Sequence, residues 1–162
     1  MRYYIINFIF RVLPPSRCYA FKRAILKWAG VKVGNNVRVM RIILTGVCLE
    51  IGDNTYIGDF TFITGAKNTK VTIGKNCDIS DRVNIFTHTH EMGSLYQAAG
   101  KAYGKDIIIV DGVWIGLGAS VMPGVHIGDG AIVASCSCVT KDVPSGVMVA
   151  GVPALPKKEL FK

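Results

Sequence analysis

Residues 109–138 read IVDGVW-IGLGAS-VMPGVH-IGDGAI-VASCSC, and each block of six opens on an aliphatic side chain: Ile109, Ile115, Val121, Ile127 and Val133. The beat runs on to Val139. Toward the N-terminus it returns through Ile85, Ile79 and Ile73, then Ile63, Ile57 and Ile51, and finally Val39 and Val33. A four-residue slip separates Ile63 from Ile73, and 18 extra residues, 91–108, part the hexads of Ile85 and Ile109. With Thr45 as a weak member there are 15 hexads, 14 of them aliphatic at the first position. A helix repeats every 3.6 residues and a strand every two, so neither produces a period of six.

The pattern specifies a solenoid of very short parallel strands. The first residue of each hexad points into a narrow tube. The fifth, small or β-branched, joins it there: Val37, Thr55, Thr61, Cys77, Val83, Val113, Ala119, Val125, Ala131, Ser137 and Val143. The fourth marks the corner between strands and favours residues that accept positive φ, namely Asn36, Asn54, Asn76, Gly112, Gly118, Gly124 and Gly130. Three hexads close an 18-residue coil, so about five coils are expected. The fold class is all-β, with the repeat spanning 33–156, a cap at 1–32 and a short tail at 157–162.

Composition limits what such a scaffold does. The chain has 162 residues, half of them hydrophobic, with a net charge of +8. That charge is uneven. Residues 1–49 hold nine basic side chains and no acid, whereas 50–162 hold ten basic and eleven acidic ones. A uniformly basic nucleic-acid binder is therefore disfavoured. Five cysteines without a CxxC pair argue against a disulfide framework and for a reducing, cytoplasmic compartment, each cysteine serving as a small buried hydrophobe. The apolar run Tyr3–Phe10 is too short to cross a bilayer and leads into Pro14-Pro15, not a cleavage site.

Before the repeat, Ser16 is placed to cap a helix running to Ala29, with Gly30 as its stop. Tyr19, Ile25, Leu26 and Trp28 alternate there with Arg17, Lys22, Arg23 and Lys27. A solenoid needs its open end covered, which suits this helix. Basic residues interleaved with aromatics also suit peripheral contact of residues 1–30 with an anionic membrane face.

Chemistry is sought where the repeat breaks. Two of the three histidines stand beside the long insertion, in Thr87-His88-Thr89-His90-Glu91. His88 takes the fourth, corner position of its hexad and His90 the sixth. With 91–108 excised, His126 follows one coil later at the same position, so His90 and His126 are expected to stack about 5 Å apart. Two chemistries fit. An imidazole can act as general base toward an alcohol, or three histidines can hold zinc. Asn84 and Glu91 are the candidates for orienting the His90 ring.

The repeat, together with the endings Val139-Thr140-Lys141-Asp142-Val143-Pro144 and Ala150-Gly151-Val152-Pro153, resembles the hexapeptide-repeat, left-handed parallel β-helix acetyltransferases, the galactoside and polysaccharide O-acetyltransferases among them. The resemblance covers Val33 to about Pro156. It implies the left hand of the helix, a homotrimer with active sites between subunits, and acetyl-CoA as co-substrate, with no metal expected. It further implies transfer of acetyl to a saccharide hydroxyl, as in cell-surface polysaccharide or glycan biosynthesis. His90 takes the place of the catalytic base, with His88 as fallback. By the same resemblance Trp114, Gly116, Gly118, Ser135, Thr140, Lys141 and Lys158 lie along the coenzyme groove. Leu117 departs from the pattern, since several relatives carry a hydroxyl there; the backbone N–H of Gly118 becomes the candidate oxyanion donor. N-acetylation of an amino sugar and a zinc-dependent lyase of the β-helical carbonic anhydrase type remain as alternatives.

Overall fold

A computed structural model describes residues 2–66 and 68–161; Met1 and Lys162, the expected outer limits of cap and tail, and Lys67 lie outside the described residues. The hexads wind into a three-sided prism. The first face stacks Lys32–Val33, Cys48–Ile51, Lys70–Ile73, Ile107–Ile109 and His126–Ile127 in parallel. The second stacks Arg38–Val39, Tyr56–Ile57, Asp78–Ile79, Trp114–Ile115, Ile132–Val133 and Val147–Ala150, with Leu155–Glu159 added antiparallel at its edge. The third stacks Ile43–Thr45, Phe62–Thr64, Asn84–Phe86, Ser120–Val121 and Cys138–Val139. Five full coils result, as the repeat predicts.

First-position residues form columns, Ile51 on Ile73, Ile57 on Ile79 and Ile63 on Ile85, and they are buried throughout. All eleven fifth-position residues named above are buried as well. The buried hydroxyls bond to neighbouring coils: Thr55 Oγ1 donates to the Gly74 carbonyl at 2.7 Å, and Thr61 Oγ1 to that of Ser80 at 3.1 Å. Glycine at the second position follows from coil spacing. A Cβ on Gly52 would lie 2.6 Å from the carbonyl carbon of Gly74, and one on Gly116 would lie 2.6 Å from the Ser135 nitrogen. Every fourth-position Asn or Gly predicted to turn the corner has positive φ. So do Phe60, Arg82 and Cys136, which occupy equivalent corners without being Asn or Gly. The corner imposes its dihedral on whichever residue stands there.

The first coil departs from the regular count. Leu44, not Thr45, is the inward residue paired with Ile63, while Thr45 bonds through its hydroxyl to Thr64. This coil is one residue shorter at one corner and one longer at the next, which the spacing from Val39 to Ile51 conceals.

Two helices, not one, close the open end: α1 (Arg2–Val12) and α2 (Tyr19–Trp28). Ile6, Phe10 and Leu26 are fully buried over the first coil. Polar side chains of the cap satisfy backbone groups that the first coil would otherwise leave unpaired. Asn7 bonds both the carbonyl (2.9 Å) and the N–H (3.0 Å) of Leu44, Tyr3 donates to Val47 O at 2.6 Å, and Arg23 to Val37 O at 3.0 Å. The start of α2 is Cys18, in the left-handed region and without a side-chain cap bond, rather than the expected Ser16. Lys22, one of the basic residues interleaved along this helix, is buried. Its ammonium donates to the carbonyls of Pro14 (3.1 Å), Pro15 (2.6 Å) and Val39 (3.2 Å), tying linker and first coil together. Burial pushes its pKa below the usual lysine range. Among the cysteines only Cys77 is buried; Cys18, Cys48 and Cys136 are exposed, Cys138 is half-buried, and all five are free.

The insertion is a β-hairpin, His88–Ser94 against Gln97–Gly104. It leaves the third face after Thr87 and returns at Lys105, whose N–H bonds the Thr87 carbonyl at 2.8 Å. The extra residues therefore begin three positions earlier than the expected 91–108, and Ile107–Ile109 already belongs to the first face.

Candidate active site

The hairpin springs from the corner where the third face turns into the first. The same corner holds Gly65, Ala66 and Thr69 one coil below, Gly124 one coil above and Thr140 and Lys141 one coil further on. Its root is held by a ring of hydrogen bonds. Ala66 N–H donates to Thr87 Oγ1 at 3.2 Å, and Thr69 O–H donates to Ala66 O at 2.7 Å. The remaining hydroxyl proton, on Thr87, then points to Thr69 Oγ1, and both threonine side chains are buried. The methyl of Thr69 packs against Gly104 closely enough that a Cβ there would approach to 2.6 Å. The four-residue slip and the long insertion, separate in sequence, are thus one structure: the slip builds the seat on which the hairpin stands.

On this arm His88 pairs with Gly104, Thr89 with Tyr103 and His90 with Ala102. Both histidines are exposed. A bulge between His90 and Met92 shifts the return strand so that the Gly100 carbonyl meets His90 Nδ1 at 2.9 Å. A carbonyl only accepts, so Nδ1 carries the proton, and in the neutral ring Nε2 keeps the lone pair. This is the tautomer that a general base requires. The orienting group is Gly100 rather than Asn84 or Glu91. Nothing in the sequence marks it, because its carbonyl reaches the ring only through the antiparallel register and its bulge.

His88 does not take the corner position expected of it; the chain there has already left the coil. His126 does not stack on His90 either. Its strand neighbour is Ile108, and its N–H bonds Asp142 Oδ1 at 2.8 Å. Among the described residues no three His, Cys, Asp or Glu side chains gather closely enough to hold a metal ion.

The other expected residues fall on a different side of the prism. Trp114 is exposed on the second face and stands in line with Ile132, Met148 and Lys158 on successive strands. Gly116 is buried beneath Ser135, at the corner between the second and third faces, which Gly118 also turns. The Gly118 N–H donates to Asp81 O at 3.0 Å, which removes it as the expected oxyanion donor. Beside Lys158 an open cleft of about 670 Å³ is lined by Pro144, Val147, Pro156, Lys157 and Glu159. Within one chain, then, the arm that carries His90 rises from the same edge of the prism as Thr140 and Lys141, whereas Trp114 and Lys158 lie on the second face and Gly116 and Ser135 at the corner that follows it.

No family model matches the chain. The galactoside O-acetyltransferase of Escherichia coli (strain K12) is 36% identical over 115 residues, which cover 71% of this chain and 56% of that protein. The chain spans about half the length of the first curated relatives it matches. Among solved structures, a galactoside acetyltransferase in complex with coenzyme A is 30% identical with a TM-score of 0.82, covering 99% of this chain and 80% of that one. A hexapeptide-repeat-containing acetyltransferase from Vibrio cholerae O1 biovar eltor, complexed with acetyl-coenzyme A, is 25% identical with a TM-score of 0.82, covering 99% of this chain and 86% of that one.

Proposed function

The chain belongs to the hexapeptide-repeat, left-handed β-helix acetyltransferase family, and from that premise we propose that it transfers acetyl from acetyl-CoA to a saccharide hydroxyl with His90 as general base. The observation that carries the reading is the bond from His90 Nδ1 to the Gly100 carbonyl, which leaves Nε2 as the basic nitrogen on the arm that interrupts the coil. Nε2 accepts the proton of the acceptor hydroxyl as its oxygen attacks the thioester carbon. The tetrahedral adduct then collapses, the carbon–sulfur bond breaks, and the departing thiolate takes the proton back from the imidazolium. No covalent acyl-enzyme is needed, and no cysteine lies on the hairpin.

The division of the expected residues between one corner and another face supports a homotrimer. The groove closes when the His90 corner of one subunit faces the Trp114 face of the next. In that arrangement Trp114, Gly116 and Ser135 border the pantetheine arm. Thr140, Lys141 and Lys158 meet the nucleotide and its phosphates, where cations and hydroxyl donors are the matching chemistry. The hairpin tip, with Met92, Leu95 and Tyr96 almost wholly exposed, has apolar surface for such a neighbour to cover.

The test is release of free thiol from acetyl-CoA against a panel of sugars, comparing wild type with His90→Ala. General-base catalysis contributes about 10²–10⁴-fold, so the variant should lose that much turnover while keeping its assembly and its affinity for CoA. Turnover within tenfold of wild type refutes the assignment. Loss of wild-type activity on treatment with a chelator favours the zinc chemistry instead.

A further inference from the structure

We propose that the N-terminal cap docks the protein on an anionic membrane surface, with the outer stripe of α1 seated among the headgroups. Helix α1 is apolar on both sides. Its inner side buries Ile6 and Phe10 over the first coil. Its outer side presents Tyr4 (78% exposed), Phe8 (68%) and Val12 (67%), one above another at four-residue intervals, with Ile5 beside them. Among the described residues of the cap, two further large apolar side chains are exposed, Phe21 and Trp28, both on α2. The two helices meet where the Arg2 guanidinium lies 5.4 Å from the Trp28 ring and donates to the Trp28 carbonyl at 3.1 Å. A helix needs one apolar face to bury against its own core; a second apolar face requires another apolar medium.

Charge selects that medium. Six basic and no acidic side chains lie between residues 2 and 30. Lys22 is spent internally, while Arg2, Arg11, Arg17 and Lys27 stand exposed around the stripe. A second copy of this cap would bring like charges together with no carboxylate to pair them. An anionic bilayer supplies both the apolar depth and the counter-charge, and aromatic side chains favour that interfacial layer. No helix among the described residues is long and apolar enough to span a bilayer, so contact is with the surface. The inference does not depend on the acetyltransferase reading, because lipid binding is measured without turnover.

The experiment is co-sedimentation of the full chain with vesicles of pure phosphatidylcholine and of phosphatidylcholine with phosphatidylglycerol, at low and high salt. The wild type should partition onto the anionic vesicles and come off with salt. Each basic side chain near such a surface contributes about fivefold, so Arg11→Gln with Arg17→Gln should weaken partition about 25-fold. Tyr4→Ser with Phe8→Ser should reduce it at low salt although every basic side chain is retained. These side chains are exposed, so melting curves and acetyl transfer to soluble sugars should stay unchanged. The proposal is overturned if the wild type stays in the supernatant with anionic vesicles, or if both double variants bind as well as wild type. It is equally overturned if the Tyr4→Ser, Phe8→Ser pair abolishes only a self-association seen without lipid.

Discussion

The ring of hydrogen bonds beneath the hairpin makes a sharp prediction for Thr87. Replacing it with valine keeps the shape of a fully buried side chain and deletes its oxygen. Two bonds are lost, the one accepted from Ala66 N–H and the one given to Thr69 Oγ1, and the half-buried Ala66 N–H loses its acceptor. At about 1 kcal/mol per bond, with a further part of the desolvation cost of the orphaned donor, Thr87→Val should destabilise by about 2–3 kcal/mol. For a chain of this size that is a fall in Tm of about 4–12 °C. Thr87→Ser keeps both bonds and loses one buried methyl, about 1 kcal/mol, so it should melt between wild type and the valine variant. Thermal melts at one fixed protein concentration measure the order. Because Thr87 is also the last residue before the arm that carries His90, the valine variant should lose kcat that the serine variant retains. A valine variant that melts with wild type, or above the serine variant, refutes the account of the hairpin root.

Two further predictions concern the coils themselves. The Arg41 guanidinium, hydrogen-bonded to Asp59, holds its carboxyl below the usual carboxylate range. A carboxyl depressed in the folded state stabilises the protein above its unfolded pKa and loses that contribution as pH falls through the folded value. Urea midpoints should therefore separate wild type from Asp59→Asn at pH 7 and converge as pH falls below the usual carboxylate range; a gap that stays constant with pH refutes the ion-pair account. At the corner occupied by Arg82, φ is +57°. A left-handed backbone costs a side-chain-bearing residue about 1–2 kcal/mol, partly offset by the chain entropy of glycine. Arg82→Gly should accordingly raise Tm by a few degrees, and a drop in Tm would show that the Arg82 side chain, rather than the corner, sets the local energy.

Much of this molecule is written in its sequence, for a physical reason. A coil that cannot bury its own core forces every inward position to repeat, so Ile51, Ile73 and their successors declare the prism, and the asparagines and glycines declare its corners. The family relation follows from the same repeat. The proposal of His90 as base starts from its place beside the longest break in the beat. What tertiary structure alone decides involves groups without side-chain identity or without sequence proximity. The orientation of His90 rests on a backbone carbonyl, at Gly100, delivered by a bulge. The hairpin root joins Thr69 and Thr87, whose partnership depends on two interruptions stacking at one corner. The burial of Lys22 depends on three carbonyls that converge only when two helices close the first coil. Periodicity reports what every coil must share; the contacts that make one corner unlike the others exist only after the coils are stacked.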